Sequence, residues 1–300
     1  MKKMLFVMNP VSGMRRAAKH LPDILSLYNR AGYETLVHMT GHQGDARDVV
    51  LRHAKNVDIV VCCGGDGTLN ETISGVLQSG ADVSIGYIPA GSTNDLATSL
   101  KLSSNIMQAA QDILEAEPVA YDVGRFGDRF FSYVASFGAF TRTSYTTPQS
   151  VKNALGHTAY VLGGIQELSQ IRKEHVRMEL DGKVIEDDFL FGAISNSTSV
   201  GGILTLDPKM VDMSDGYMEI LLVRAPRNLT EITECIQALQ AQKYNDCAMV
   251  TFLSTRKVKV FADPEMPWTL DGEREEGHAE VLVENVHHAI RLMKKVEKNG

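Results

Sequence analysis

The first 121 residues alternate short apolar runs with stretches of helical period, and that alternation admits few architectures. Residues 4–8, 33–39, 59–63 and 84–88 are apolar runs of strand length, each bounded by Gly, Pro, Asn or Asp. Between and after them, residues 16–31, 46–55, 69–78 and 106–115 carry helical spacing, as in the stripes Leu21, Ile24, Leu25, Tyr28 and Ile73, Val76, Leu77. Parallel neighbours need a crossover, and the crossover's apolar stripe must be buried on the sheet, so the pattern predicts an open, mostly parallel sheet covered by helices. After Pro118 the character changes to β segments at 119–126, 130–137, 176–180, 183–195, 217–223, 249–253 and 257–262. Two helical stretches interrupt them, 154–171 and 229–241, the second capped by Asn228 or Thr230. The expected fold class is therefore α/β: an N-terminal open, mostly parallel α/β domain over 1–121, with a tail of about 286–300 packing back on it, and a second, mainly antiparallel β domain over 122–285. With no low-complexity linker in the chain, the two are expected to pack closely around a ligand cleft.

Composition removes several classes of function. Lys and Arg number 30 against 37 Asp and Glu, a net charge of −7, whereas a nucleic-acid binder is usually basic. The same balance argues against wholesale adhesion to an anionic membrane. Cys62 and Cys63 are adjacent on a strand and so point to opposite faces, and Cys235 and Cys247 add no Cys-x-x-Cys pair, which predicts buried thiols in a reducing compartment. The opening apolar run is broken by Asn9 and Pro10, too short for a signal peptide, and no stretch approaches the roughly 20 apolar residues of a membrane span. A cytoplasmic, soluble protein is the expectation.

The third strand runs straight into Gly64-Gly65-Asp66-Gly67-Thr68-Leu69-Asn70-Glu71 and then into a helix. Closely spaced glycines let backbone N–H groups approach an anion, and the helix N-terminus adds a favourable dipole. Taken alone the run is equally a structural turn, and it lacks the Gly-Lys-Ser/Thr of a Walker A loop. The first strand ends in Asn9-Pro10-Val11-Ser12-Gly13, either an ordinary Asn-Pro turn or a ligand loop at a strand's carboxyl end. The fourth ends in Pro89-Ala90-Gly91-Ser92-Thr93-Asn94-Asp95, where the hydroxyls either cap the next helix or contact a ligand. Three polar loops thus converge on one sheet edge. Asp66, Asp95 and Asp122, read as loop or strand-start residues near that edge, are placed to order the waters of Mg²⁺.

Asn9-Pro-x-Ser-Gly13, the Gly64–Glu71 run, Pro89-Ala-Gly-Ser-x-Asn-Asp95 and Asp122-Val-Gly124, in that order and over nearly the whole chain, resemble the diacylglycerol kinase catalytic family in its soluble bacterial lipid kinase branch. The resemblance implies that ATP is held by Asn9, Pro10, Ser12, Gly13, Thr40, Gly64, Gly65, Asp66, Gly67, Thr68, Asn70, Glu71, Ser92 and Asn94. It implies catalytic roles for Asp66, Asp95 and Asp122 around Mg²⁺, with the second domain receiving the lipid. Asn196, Gly201-Gly202, Pro208 and Asp212-Met-Ser-Asp215-Gly-Tyr217 resemble the family's structural Mg²⁺ segment, implying the Asp215 carboxylate and the carbonyls of Asp212 and Tyr217 as ligands; read locally, the same residues are a plain Asp-Gly hairpin turn. Leu270-Asp271-Gly272-Glu273 matches the family's Asp-Gly-Glu signature and implies Glu273 as general base.

The implied activity is ATP-dependent phosphorylation of a neutral lipid hydroxyl, most readily diacylglycerol to phosphatidic acid, by a cytoplasmic enzyme peripheral at the inner face of the membrane and capable of forming a homodimer. Ser92 stands where many members have Thr, and Ser132-Tyr133 where an Asn-bearing version is expected. Phe137, Phe140, Tyr145, Tyr160 and Leu162 are candidates for an acyl-chain groove. Competing readings are a sphingoid or other lipid kinase, an NAD kinase or phosphofructokinase-like enzyme, which share Gly-Gly-Asp-Gly, and a catalytically silent lipid-binding regulator.

Overall fold

The computed structural model describes residues 1–139, 172–200 and 204–295. The chain divides into two compact units, Met1–Val123 with His287–Gly300 and Gly124–Val286. The helix expected over 154–171, the groove candidates Phe140, Tyr145, Tyr160 and Leu162, and Gly201 and Gly202 lie outside the described residues.

In the first unit, β1 (Lys2–Met8), β2 (Tyr33–Met39), β3 (Ile59–Gly64) and β4 (Ser84–Pro89) form a parallel sheet in the order β2-β1-β3-β4. The end of the chain's last strand, β17 (Glu280–Lys294), adds a fifth parallel member, with Arg291 and Leu292 opposite Ser84 and Ile85. The intervening helices are α1 (Arg16–Lys19), α2 (Leu21–Arg30), α3 (Asp45–His53), α4 (Asp66–Ser79), α5 (Asp95–Leu100) and α6 (Ile106–Glu115). Met4, Phe6 and Met8 of β1 join Ile59, Val61 and Cys63 of β3 on one face, packed with Ile24 and Tyr28 of α2 and Ala109, Ala110 and Ile113 of α6. The alternate residues Leu5, Val7, Val60 and Cys62 are buried as well, as central parallel strands covered on both faces require. At roughly 1.5–3 kcal/mol for each large apolar side chain removed from water, this two-faced burial is the main offset to ordering the backbone.

Three expected boundaries move, each for a local reason. The helix read over 16–31 breaks at His20, and α2 restarts at Leu21 with Pro22 in its first turn, where the missing N–H costs nothing. The helix read from Leu69 begins at Asp66, so Asp66, Gly67 and Thr68 form its first turn and not a loop. The strand read over 130–137 breaks at Ser132 and Tyr133, whose N–H groups turn to the Asp271 carboxylate.

The second unit is antiparallel among the described strands, as expected. β5 (Glu117–Phe126) enters it and pairs with β6 (Arg129–Phe131). β7 (Val134–Gly138), β8 (Glu174–Leu180) and β9 (Lys183–Ser195) follow, then the short ribbon of β10 (Ser199–Val200) and β11 (Leu204–Thr205). β12 (Met218–Arg224), α7 (Leu229–Gln240), β13 (Val250–Thr255), β14 (Lys257–Ala262), β15 (Trp268–Leu270) and β16 (Glu273–Glu275) complete it. The first half of β9 pairs with β8 and its second half lies between β7 and β12, so one 13-residue strand ties both parts of the sheet. Trp268 is fully buried, with its ring centroid 4.9 Å from both Phe126 and Phe137. Phe137, one of the candidates for an acyl-chain groove, is therefore part of the core. Asn228 caps α7, its side chain accepting from Glu231 N. All four cysteines are free and buried, as their sequence positions predict. Among the described residues no helix is long and apolar enough to cross a membrane.

α3 and α4 touch through a glycine. A Cβ on Gly75 would stand 2.7 Å from the Arg47 carbonyl oxygen and 2.8 Å from Val50 Cβ. Gly75→Val should therefore lower unfolding free energy by about 1–3 kcal/mol, read by urea denaturation; an unchanged midpoint would contradict this packing.

Candidate active site

The carboxyl ends of β1, β3 and β4 meet backbone to backbone. Asn9 N donates to Cys63 O at 2.9 Å and Ala90 N to Gly64 O at 2.7 Å, so the loops leave the sheet already tied together. A Cβ on Gly13 would lie 2.1 Å from the Ala90 carbonyl oxygen, and Gly13 has φ +52. A Cβ on Gly91 would lie 2.6 Å from Gly65 Cα. No side chain fits at either point, which is why glycine stands in all three loops. Asn9 closes the group with both ends of its amide: Oδ1 accepts from Val11 N at 3.1 Å and Nδ2 donates to Thr68 Oγ1 at 3.3 Å. Thr40, after β2, donates its N–H to Met8 O at 2.8 Å.

Gly65 is the N-cap of the 14-residue α4 and supplies no side-chain cap, so the first-turn N–H groups of Asp66, Gly67 and Thr68 present the positive end of the helix at this edge. Asn94 occupies the left-handed region at φ +54 and folds its amide onto the preceding loop, accepting from Gly91 N at 2.9 Å and donating to Gly91 O at 3.0 Å. Asn94 and not Thr93 thus stands at the start of α5, while Ser92 and Thr93 are exposed. Tyr87 was missed in the sequence. Its buried hydroxyl donates to Gly64 O and to Asn94 Oδ1, each at 3.3 Å, and burial first, then the charges of Asp66, Cys62, Cys63 and Asp95, holds it well above the usual phenol range. Asp66 and Asp95 both act electrostatically on this one phenol.

Two expected members also have partners away from the glycine loops. Both carboxylate oxygens of Glu71 are used by the start of α3, accepting from Gly44 N at 2.6 Å and Ala46 N at 3.1 Å. Glu71 thereby complements that helix's dipole and locks α3 to α4. Asp122 is not at a loop or strand start but in mid-strand on β5, 2% exposed, and it meets His287 and His288.

In the second unit, Asp271 (φ +50) and Gly272 (φ +79) form a two-residue hairpin turn between β15 and β16, with Leu270 opposite Glu273. Left-handed geometry at both positions is what a tight hairpin of right-twisted strands demands. The Asp271 carboxylate accepts from Ser132 N and Oγ, Tyr133 N and Val134 N, and its own N–H donates to Val134 O at 2.9 Å. Burial raises its pKa, and these bonds pull the other way. Glu273 opens β16 beside this anchor, partly exposed and 4.0 Å from the Arg129 guanidinium.

Asp212 and Asp215 bend the loop before β12, accepting from Ser214 N at 3.0 Å and Tyr217 N at 2.8 Å. The Tyr217 carbonyl accepts from Asn285 Nδ2 at 2.9 Å and keeps a second lone pair. Beside them Glu219, 2% exposed in a strand otherwise apolar from Met218 to Val223, was also missed, though a lone acid inside Met-Glu-Ile-Leu-Leu-Val is a visible signal. Its Oε2 is buried with no hydrogen-bond partner among the described residues. Burial, then the charges of Asp215 and Asp212, raises its pKa from the ordinary 4.5 to about 8. Three acids with an unsatisfied buried oxygen are a donor set that fits a hard cation such as Mg²⁺.

Residues 3–126 match the model of the diacylglycerol kinase catalytic domain, and residues 134–294 match the YegS C-terminal NAD kinase beta sandwich-like domain. The chain is 31% identical to the diacylglycerol kinase of Bacillus subtilis (strain 168) over 275 residues, covering 91% of this chain and 90% of that one. It belongs to the diacylglycerol kinase catalytic family. It is thus a phosphotransferase of the lipid kinase class. The diacylglycerol kinase of Staphylococcus saprophyticus is likewise 31% identical, over 91% of this chain and 89% of its own. A crystal structure from Bacillus anthracis str. Sterne shares the fold with a TM-score of 0.81 at 24% identity, covering 98% of this chain and 95% of that one.

Two outcomes test these anchors. Asp271→Ala leaves buried donors at Ser132, Tyr133 and Val134 unsatisfied and should lower unfolding free energy by about 3 kcal/mol, measured in urea. For Glu219 the folded pKa is raised, so between about 4.5 and 8 the unfolded chain releases a proton that the folded chain keeps. Metal-free stability should fall across that window and flatten above it. Glu219→Gln should abolish the fall, leaving the metal-free variant more stable than the parent at pH 8, by differential scanning calorimetry.

Proposed function

We propose that the enzyme transfers the γ-phosphate of ATP to the free hydroxyl of diacylglycerol, giving phosphatidic acid and ADP, for phospholipid synthesis at the membrane surface. The observation that carries this reading is the side-chain-free junction of Gly13, Gly65 and Gly91 at the uncapped start of α4, in a chain of this family. Such a junction supports close approach of a triphosphate to backbone N–H groups. Asn9, Pro10, Ser12, Gly13, Thr40, Gly64, Gly65, Asp66, Gly67, Thr68, Asn70, Ser92 and Asn94 are assigned to the nucleotide. Glu71 supports it indirectly by fixing α3.

The lipid hydroxyl oxygen bonds to the γ-phosphorus as the bond to the bridging oxygen of ADP breaks. Glu273 takes the hydroxyl proton, and Asp271 holds the turn that presents it. Mg²⁺, when bound, would supply charge neutralisation for the phosphates. Asp66, Asp95 and Asp122 are the carboxylates assigned to its waters. Asp212, Asp215 and the Tyr217 carbonyl, joined by Glu219, are assigned to a second, structural Mg²⁺. The first unit is read as the nucleotide domain and the second as the lipid domain, with peripheral membrane contact because the acceptor resides in the bilayer.

Glu273→Gln and Asp66→Ala should keep parental circular dichroism and melting, yet lose about 10²–10⁴-fold in kcat with radiolabelled ATP and diacylglycerol in mixed micelles. Near-parental turnover in Glu273→Gln would remove the assigned base. Phosphorylation of another lipid in a mixed panel, with diacylglycerol untouched, would change the acceptor and leave the nucleotide site standing.

A further inference from the structure

Asp122 sits on β5 with its side chain fully buried, and its partners come from β17. His287 Nδ1 lies 3.0 Å from Asp122 Oδ1, and His288 N donates to the same oxygen at 2.7 Å. In a regular strand, consecutive residues point to opposite faces. His288 breaks that rule with φ +49, and the two consecutive imidazoles stack with centroids 3.7 Å apart at 27°. A left-handed non-glycine backbone costs about 1–2 kcal/mol and needs a compensating purpose. Its outcome here is that one donor atom each from Asp122, His287 and His288 lie within 4.8 Å of one another.

We propose that Asp122, His287 and His288 form a binding site for a divalent transition-metal ion, with Zn²⁺ as its simplest occupant. Two imidazoles and one carboxylate are a borderline donor set that favours such ions over Mg²⁺, which seeks oxygen alone. Ligand bonds of 2.0–2.2 Å around a tetrahedral ion put neighbouring donors about 3.3 Å apart. The His287–Asp122 pair is already near that spacing, so an ion takes the place of the hydrogen bond between Nδ1 and Oδ1 with little rearrangement. Three protein ligands leave a fourth position for water. Both imidazoles are exposed while the carboxylate is buried, so an ion reaches the site from solvent and is held against a fixed anion. The site is distinct from the acids assigned to structural Mg²⁺ near β12. One consequence rests on the proposed function: an ion that takes Asp122 withdraws it from catalysis, so zinc inhibits at saturating Mg²⁺.

Isothermal titration of the full chain with Zn²⁺ in excess Mg²⁺ tests the site directly. One equivalent should bind at micromolar affinity, and Co²⁺ should give a visible d–d absorption band. His287→Ala and His288→Ala should each weaken binding at least tenfold, while His175→Ala, which alters the exposed His175–Asp188–Glu186 group, should not. Undiminished binding in the His287→Ala/His288→Ala double variant, or no binding in the parent, would overturn the proposal. Parental melting of the metal-free variants separates ligand loss from misfolding. Zinc binding without zinc inhibition would leave the site standing and remove Asp122 from the catalytic set.

Discussion

Everything at the candidate nucleotide edge depends on three loops approaching one another more closely than side chains allow. The carbonyl of Ala90 stands where a Cβ of Gly13 would be, and Gly65 and Gly91 meet through their α-carbons. That contact brings the ends of β1, β3 and β4 within range of the start of α4, and Asn9, Tyr87 and Asn94 then lock it with hydrogen bonds. The energetic logic is subtractive. Removing side chains buys proximity, and the amides of Asn9 and Asn94 satisfy backbone groups beside the gap.

The same economy shapes the hairpin that carries Glu273. An acid at the start of a three-residue strand is poorly fixed by its own pairing, so the definition comes from its neighbour. Asp271 gathers three consecutive backbone donors and a hydroxyl from the segment linking β6 and β7, and in doing so ends one strand to stabilise another. Ser132 gives two of those bonds, from its N–H and its hydroxyl, so it bears on the anchoring of the turn, a role its position alone did not suggest.

Much of this was legible in the chain because it rests on period and on punctuation. Parallel strands, their order of appearance and the glycine loops follow from apolar runs that end in Gly, Asn and Pro. The antiparallel character of the second unit follows from segments that alternate without helical crossovers. What escaped were effects carried by distant partners. Glu71 reads like part of the phosphate loop, yet its oxygens go to a helix start 25 and 27 residues earlier. Asp122 reads like a strand opening, yet its neighbours are histidines more than 160 residues away. Tyr87 and Phe137 could not be sorted into site and core, because an aromatic in an apolar run carries no mark of which it will become.

β5 and β17 each run across the limit between the two units, so the first unit is assembled from both ends of the chain. During synthesis its four strands β1–β4 emerge well before the segment of β17 that covers β4, because the whole second unit lies between them in the chain. Until then β4 presents an open parallel edge of the kind that recruits stray strands. Folding of the N-terminal half is therefore postponed in its final step until the other unit has been translated. Loss of the Arg291–Leu292 end of β17, far from the glycine loops in sequence, is felt first as an aggregation problem in the sheet that bears them.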